Sequence, residues 1–377
     1  MPLKPRALEP LIRLGLAPGV GPVRATRLID HFGSAERVLA ASDHDLLEVG
    51  MVGPGLVARI GRARGKEVGE SAKGALVALE RMGAVGLTVD DALYPESFLR
   101  LPDPPYLLFA VGDPGLLAAR SFAVVGTRKP TSYGRETARQ LAGGLARAGY
   151  AIVSGMARGI DAVAQQAALD AGGATVGVLG HGVDRVYPEA NRQLFERVRR
   201  EGLLISELMP GMGPLAGNFP RRNRLIASLG EGVLVVEMAR RSGAQHTVNY
   251  ALSQGKEVFA VPGPIAAEAS EGTNQLIKDG ACVVTAVEDI LDELGTVPGP
   301  APERGPPPPA IHPPPAPKLP AEEARLYAAL AREPRHVDEL AADSGLAPRA
   351  VLALLLSLEL EGHAEALPGK LYRKRGG

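Results

Sequence analysis

Cysteine is nearly absent. One residue, Cys282, stands in 377, which excludes an intramolecular disulfide and a cysteine cage for zinc. It sits in the apolar run Ala281–Val284 and reads as an inert core thiol. Net charge is absent too: 42 Lys and Arg balance 42 Asp and Glu. That excludes a uniformly basic nucleic-acid binder but not a local basic groove. His181 and His246 have no second ligand at metal spacing, so no metal site is expected. No apolar run approaches the roughly 20 residues of a membrane span. No signal-peptide core with a cleavage site is apparent. A soluble, cytoplasmic protein without a membrane partner is the expectation.

What is present is enough apolar sequence, 45% of the chain, for a sizeable core in two or three domains. The clearest boundary is the stretch Pro298 to Pro320, about half proline, which reads as an extended polyproline II linker. Upstream, short apolar runs alternate with helical patterns. Strands are expected at Phe122–Val125, Ala151–Val153, Thr175–Leu179, Leu203–Ser206, Val233–Val236, Val258–Val261 and Cys282–Val284, with Gly86–Val89 and Tyr106–Val111 as additions. Helices fall between them, as at Tyr133–Ala148 and Ala162–Ala171. This pattern predicts an α/β, Rossmann-like, doubly wound and mostly parallel sheet. The predicted organisation is a helical domain over 1–85, the Rossmann-like domain over 86–297, the linker over 298–320 and a winged-helix-like domain over 321–377.

Arginine recurs where a nucleotide-binding sheet usually carries only glycine. It appears in Gly126-Thr127-Arg128, in Ser154-Gly155-Met156-Ala157-Arg158-Gly159-Ile160-Asp161, and in Phe219-Pro220-Arg221-Arg222-Asn223-Arg224, read as a turn before another helix. Open α/β sheets bind ligands at the carboxyl ends of their strands. Helix N-termini there favour anions. Added guanidinium groups point to several phosphates, hence to a polymer backbone.

Near the N-terminus, Leu16-Ala17-Pro18-Gly19-Val20-Gly21-Pro22 resembles a helix-hairpin-helix (SAM-like) module, with Gly53-Pro54-Gly55 as a degenerate second copy. Its backbone N–H groups can hold a DNA phosphate. The alternatives are a protein contact, or two helices joined by a turn that binds nothing.

Taken in order, a set of segments resembles the DNA processing protein A (DprA/Smf) family. They are Val124-Val125-Gly126-Thr127-Arg128-Lys129-Pro130 with Tyr133-Gly134, Val153 through Asp161, Gly180-His181-Gly182-Val183-Asp184 with Tyr187-Pro188 and Asn191, and Ser206-Glu207 with Pro210-Gly211. Phe219 through Ala227, Val236-Glu237 with Ser242-Gly243 and Thr247, Val261-Pro262-Gly263, Gly272-Thr273-Asn274 and Leu276 through Ala281 complete it. Coverage runs from about Tyr94 to Leu294. The resemblance implies a single-stranded DNA-binding recombination mediator that protects incoming strands and loads the RecA recombinase in natural transformation. It implies a homodimer, no catalytic residue and no cofactor.

On that reading the DNA-binding residues are Gly126, Thr127, Arg128, Ser154, Gly155, Arg158, Gly159, Phe219, Arg221, Arg222, Asn223, Arg224, Ser242, Gly243 and Thr247. Thr127 and Ser154 can donate hydroxyls to phosphate. The glycines let N–H groups approach it. The arginines supply charge and bidentate donors. Phe219 can stack under a base, a contact worth roughly 1–3 kcal/mol. Asn223 either reads a base edge or orients a neighbouring arginine. Asp161 caps the following helix or fixes Arg158. Arg158 itself is either a structural ion-pair member or a direct contact. One of Arg221, Arg222 and Arg224 pairs with Glu207 or Glu237, because they cannot share one face. The chain departs from the family at Gln165, where histidine is common, and at Gln245-His246, where an apolar pair is common.

The last module resembles a winged helix, with helices at Ala321–Ala331, Val337–Ser344 and Pro348–Glu361 and a wing over Leu367–Leu371. Its recognition helix holds only Arg349 as a cation, which suits protein contact, or weak DNA contact aided by Arg373, Lys374 and Arg375. Rival readings are a nucleotide phosphoribohydrolase-like enzyme and a protein-binding scaffold. The first lacks its Pro-Gly-Gly-x-Gly-Thr-x-x-Glu turn. A dinucleotide-dependent oxidoreductase is weaker still, because Gly126-Thr127-Arg128 is not Gly-x-Gly-x-x-Gly.

Overall fold

The computed structural model describes residues 5–295, 320–331, 335–361, 363–367 and 369–374. They fall into two compact units, 1–303 and 304–377. The proline-rich linker lies, Pro320 aside, outside the described residues.

The first unit begins with six helices: α1 Pro5–Leu16, α2 Pro22–Phe32, α3 Ala35–Ala40, α4 Asp43–Glu48, α5 Pro54–Ala63 and α6 Lys66–Met82. The two glycine-rich hairpins have matching geometry. Gly21 and Gly53 are both extended N-caps, each followed by proline at the first helical position. That position suits proline, since its missing N–H has no intrahelical partner anyway. Gly53 therefore starts a genuine second hairpin. Arg24 donates to the Gly19 carbonyl at 2.9 Å, so this arginine braces its own turn.

A nine-stranded sheet follows. Its strands are β1 Val85–Leu87, β2 Leu108–Gly112, β3 Ser121–Val125, β4 Ala151–Ser154, β5 Thr175–Val178, β6 Leu203–Ser206, β7 Gly232–Val235, β8 Glu257–Ala260 and β9 Cys282–Val283. Between them run α7 Glu96–Leu99, α8 Ser132–Arg147, α9 Ile160–Asp170, α10 Arg192–Glu201, α11 Asn218–Leu229, α12 Ala244–Ser253, α13 Glu268–Lys278 and α14 Val287–Glu293. The spatial order is β1-β2-β6-β5-β4-β3-β7-β8-β9. The seven strands from β6 to β9 are parallel; β2 and β1 add antiparallel at one edge.

The β-branched runs are buried on both faces, as a parallel sheet requires. Ala138, Leu141 and Leu145 of α8, Ala164 and Ala168 of α9 and Ile290 of α14 cover one face. Leu225 and Ile226 of α11 with Val248 and Ala251 of α12 cover the other. The N-terminal helices pack their own core against Tyr106, Phe109 and Phe195. From β3 the chain winds one way through β4, β5 and β6, then returns to the other side of β3 for β7, β8 and β9. The carboxyl ends of β3 and β7 are therefore the topological switch point.

Two expectations change. Phe219 through Arg224 is not a turn but the first half of α11, because Pro220 lies in the first helical turn, where it costs no hydrogen bond. Cys282 is half-buried near the sheet edge rather than in the core, and burial raises its thiol pKa.

The second unit holds α15 Ala321–Ala329, β10 Arg335–His336, α16 Val337–Ser344, α17 Pro348–Leu360, β11 Ala364–Leu367 and β12 Leu371–Lys374. The antiparallel sheet β10-β12-β11 closes over a core of Leu326, Leu340, Val351, Leu355 and Leu358. Arg373 bonds Glu365 at 2.8 Å, and the Lys374 ammonium lies 4.5 Å from the Tyr327 ring centroid. Both cations are thus engaged inside their module; Arg375 lies outside the described residues. Helix α17 instead exposes Leu352 and Leu356, one turn apart, which favours a protein contact. No single helix among the described residues is long and apolar enough to cross a membrane.

Candidate nucleic-acid interface

The β3–α8, β4–α9 and β7–α12 turns and the first half of α11 meet at the carboxyl ends of the parallel strands. The candidate residues found there divide into an inner wall and an exposed rim.

On the inner wall, anion seats are already filled by the protein's own carboxylates. Glu237, 2% exposed, follows β7. Its Oε2 accepts the Thr131 N–H at 2.9 Å and its Oε1 the Thr131 hydroxyl at 2.5 Å. It thus occupies the N-terminus of α8, where the dipole favours negative charge. At α9 the acid is Asp161, whose Oδ2 accepts the Gly155 N–H at 3.1 Å. Burial pushes its pKa up, opposed by the charge of Arg222 and by backbone donors from Gly155 and Ala157.

Arg222 is buried beside Asp161. It donates to the Gly155 carbonyl at 2.6 Å and to the Val178 carbonyl, tying β4 to β5. Desolvation pulls its pKa down to about 10. Its Nε donates to Asn223 Oδ1 at 3.2 Å, so Asn223 orients the arginine, and Asn223 Nδ2 lies 3.4 Å from the Gly243 carbonyl. A Cβ on Gly155 would lie 2.4 Å from the guanidinium. Gly159 has φ +86°, and a Cβ there would lie 2.3 Å from the Thr127 carbonyl. These two glycines permit protein-to-protein contact, where the sequence reading gave them to phosphate approach.

Other candidates are internal as well. Ser154 is fully buried and its hydroxyl donates to the Val124 carbonyl at 2.7 Å. Thr247 is buried. Arg224 is 3% exposed, its Nη2 on Glu207 Oε2 at 2.5 Å; Arg221 Nε approaches the same carboxylate at 3.4 Å. Two of the three arginines therefore share Glu207, and Glu237 serves α8. Gln165, which departs from the family pattern, accepts the Met156 N–H and donates to Thr175 Oγ1, locking the β4–α9 turn without an imidazole.

The rim faces solvent. Arg128, Lys129 and Arg158 are exposed; Gly126, Thr127 and Ser242 are half-buried and Gly243 is exposed. Thr127 Oγ1 accepts the Lys129 N–H at 3.2 Å, shaping the loop that carries these cations. The Arg128 guanidinium lies 5.6 Å from the Phe219 ring centroid, within cation–π range. Phe219 meets Tyr187 at 5.7 Å and 36°, and Tyr187 meets His181 edge-on at 6.1 Å. His181 is buried, with its pKa lowered chiefly by desolvation. Sequence reasoning missed Tyr187, which is 40% exposed. Its partner Phe219 is far away in sequence, so only folding brings the two rings together. The rim is a cation over two half-open rings, suited to hold a phosphate beside a flat base.

Fold and site together define a doubly wound α/β unit that carries a helical N-terminal part and a cationic, aromatic-lined crevice at its strand ends, with a winged-helix unit later in the chain. The profile of DNA recombination-mediator protein A matches residues 86–295, and that of the DprA winged helix domain matches residues 307–370. Protein Smf of Escherichia coli (strain K12) is 39% identical over 311 residues, covering 81% of this chain and 82% of that protein. The X-ray structure of DNA processing protein A from Streptococcus pneumoniae superposes with a TM-score of 0.65 at 32% identity, covering 78% of this chain and 99% of that one. DNA processing protein A from Helicobacter pylori, whose structure was described for its single-stranded DNA binding mode, superposes with a TM-score of 0.51 at 32% identity, covering 55% of this chain and 95% of that one. The chain belongs to the DNA recombination-mediator protein A family.

Proposed function

We propose that this protein binds single-stranded DNA along the rim, protects incoming strands and loads RecA onto them, as a homodimer and without catalysing a reaction. The observation that carries the reading is the stack of Arg128 over Phe219 beside Tyr187. Stacking on an aromatic ring is tolerant of sequence, and a backbone-tracking cation supplies the affinity. A duplex keeps its bases stacked on one another and offers none to such a platform. The likeness to the Helicobacter pylori protein supports the choice of a single strand. RecA loading and action in transformation are supported by family membership alone.

Arg128, Arg158 and Lys129 are the rim cations. Binding that neutralises three phosphates lowers log K by about 2 per decade of salt. Pairing of two copies has a physical basis in the edge strand β9, whose outer side is unpaired among the described residues, where Val283 is exposed and Ile265 lies 96% exposed nearby. Unpaired edges with apolar side chains invite a second copy.

Fluorescence anisotropy with labelled oligo-dT and a matching duplex, over a salt series, tests the reading. Wild type should prefer the single strand, and Arg128→Ala should weaken it about tenfold, as loss of one charge-assisted contact implies. Equal affinity for duplex, or an unchanged Arg128→Ala, would refute the assignment. The phosphoribohydrolase alternative is disfavoured by Glu237 and Asp161, which fill the seats that a nucleotide phosphate would take. Release of free base from a nucleoside monophosphate would restore it.

A further inference from the structure

Helix α11 has a second face. Arg221, Arg224 and Ser228 are spaced to lie along one side of it. They line a cavity of about 470 Å³ together with Arg100, Tyr250, Gln254 and Lys256. Phe219, Arg222 and Asn223 belong to the other side, at the rim and inner wall. The cavity is therefore separate from the DNA interface proposed above.

Its chemistry points to an anion. Four cations line it; among the described residues lining it, Asp103 is the sole carboxylate, with Glu207 behind Arg221 and Arg224. Arg224 is buried yet incompletely partnered. Nη2 holds Glu207, and Nε lies 3.3 Å from Asp103 in a geometry that makes no hydrogen bond. Among the described residues, Nη1 has no hydrogen-bond partner, nor has Nε2 of Gln254. A buried guanidinium with open donors is costly unless a ligand completes it. Lys256 donates to the Ser228 and Gly230 carbonyls, and burial, with the charge of Arg100 adding to it and that of Glu231 opposing it, holds its ammonium down at about 8. Tyr250 offers an aromatic wall beside these donors. The volume falls within the usual range for small-molecule sites.

We propose that this cavity binds a phosphomonoester, borne by a free nucleotide or by the phosphorylated end of a DNA strand. Arg224 and Arg221 would take the phosphate oxygens, Arg100 and Lys256 would add charge, and Tyr250 and Gln254 would face the nucleoside.

Arg224 is too buried to substitute safely, so the test uses the exposed mouth. Ser253 lines the cavity and is exposed at the end of α12. Ser253→Glu places a negative charge where the phosphate would approach, and Arg100→Gln removes a mouth cation. Calorimetry on the full chain would compare dAMP with deoxyadenosine. Anisotropy would compare 5′-phosphorylated with 5′-hydroxyl oligo-dT.

For a free nucleotide, dAMP should bind saturably and at least tenfold tighter than deoxyadenosine, the two oligonucleotides alike, with Ser253→Glu and Arg100→Gln weakening dAMP alone. For a strand end, wild type should prefer the 5′-phosphorylated oligonucleotide, with both variants erasing that preference. In either case 5′-hydroxyl oligo-dT should bind the variants as it binds wild type. Absence of any phosphate dependence in wild type overturns the proposal. So does a phosphate dependence that both variants leave intact, or displacement of 5′-hydroxyl oligo-dT by dAMP, which would move the ligand to the rim. Failure of the single-strand reading shows separately, in the 5′-hydroxyl oligonucleotide with Arg128→Ala.

Discussion

Arg128 and Arg222 carry the same guanidinium and lie close enough to repel one another, yet they stand in opposite surroundings. Arg222, on the inner wall, is 4% exposed and holds two carbonyls and the charge of Asp161. Arg128, on the rim, faces solvent above an aromatic ring. The inner wall is thus saturated by the protein itself, while the rim retains donors and ring faces for a ligand. Charge in a crevice is not by itself a ligand site; what counts is whether the fold has already neutralised it.

The largest effect should come from the inner wall. Arg222→Ala leaves Asp161 buried without its counter-charge, which costs about 3–5 kcal/mol. Denaturant unfolding should show a large loss of stability, and any fall in DNA affinity would be secondary to it. A variant that folds as stably as wild type but binds DNA poorly would collapse the distinction between wall and rim. Glu237→Ala comes next. It removes an acid bonded to Thr131 at the start of α8, a charged hydrogen-bond set worth about 1.5–3 kcal/mol. Opening that seat should also let the N-terminus of α8 hold inorganic phosphate, detectable as phosphate-dependent stabilisation that wild type lacks.

On the rim the balance reverses. Phe219→Ala or Tyr187→Ala should cost about 1–3 kcal/mol of single-strand affinity, measured by anisotropy, with a smaller loss of stability because both rings are part-exposed. Loss of stability without loss of affinity in Tyr187→Ala would sink the platform. The smallest effect concerns His181 under Tyr187. Burial lowers its folded pKa below the ordinary 6.5, so the unfolded state binds the proton more readily. Its contribution is present above 6.5 and is lost as pH falls through the folded value. Melting midpoints followed from neutral to mildly acid pH should fall more steeply for wild type than for His181→Asn. Parallel curves would show that this ring does not sense acid.

Much of the parallel sheet was legible in the sequence. Short β-branched runs such as Phe122–Val125 and Leu203–Ser206 have one stable use, a strand buried on both faces, and the helices between them force parallel crossovers. The rim was legible in part: Arg128 and Phe219 follow from their places in the motifs, but Tyr187 does not, since nothing local marks its ring as a partner for Phe219. The start of α11 was misplaced: Phe219 through Arg224 reads as a turn, whereas the helix begins at Asn218 and its proline lies in the first turn, where it is harmless.

Local pattern by itself determined the elements, the doubly wound class and the segments that gather at the strand ends, because period, turn residues and strand composition act over a few neighbours. Tertiary structure alone decided which groups there are spent and which are free. Whether Arg222 meets Asp161 or solvent, whether Glu237 pairs an arginine or caps α8, and whether Arg224 keeps open donors toward a cavity depend on distance and burial between residues remote in the chain. Desolvation sets the worth of every charge by those two quantities.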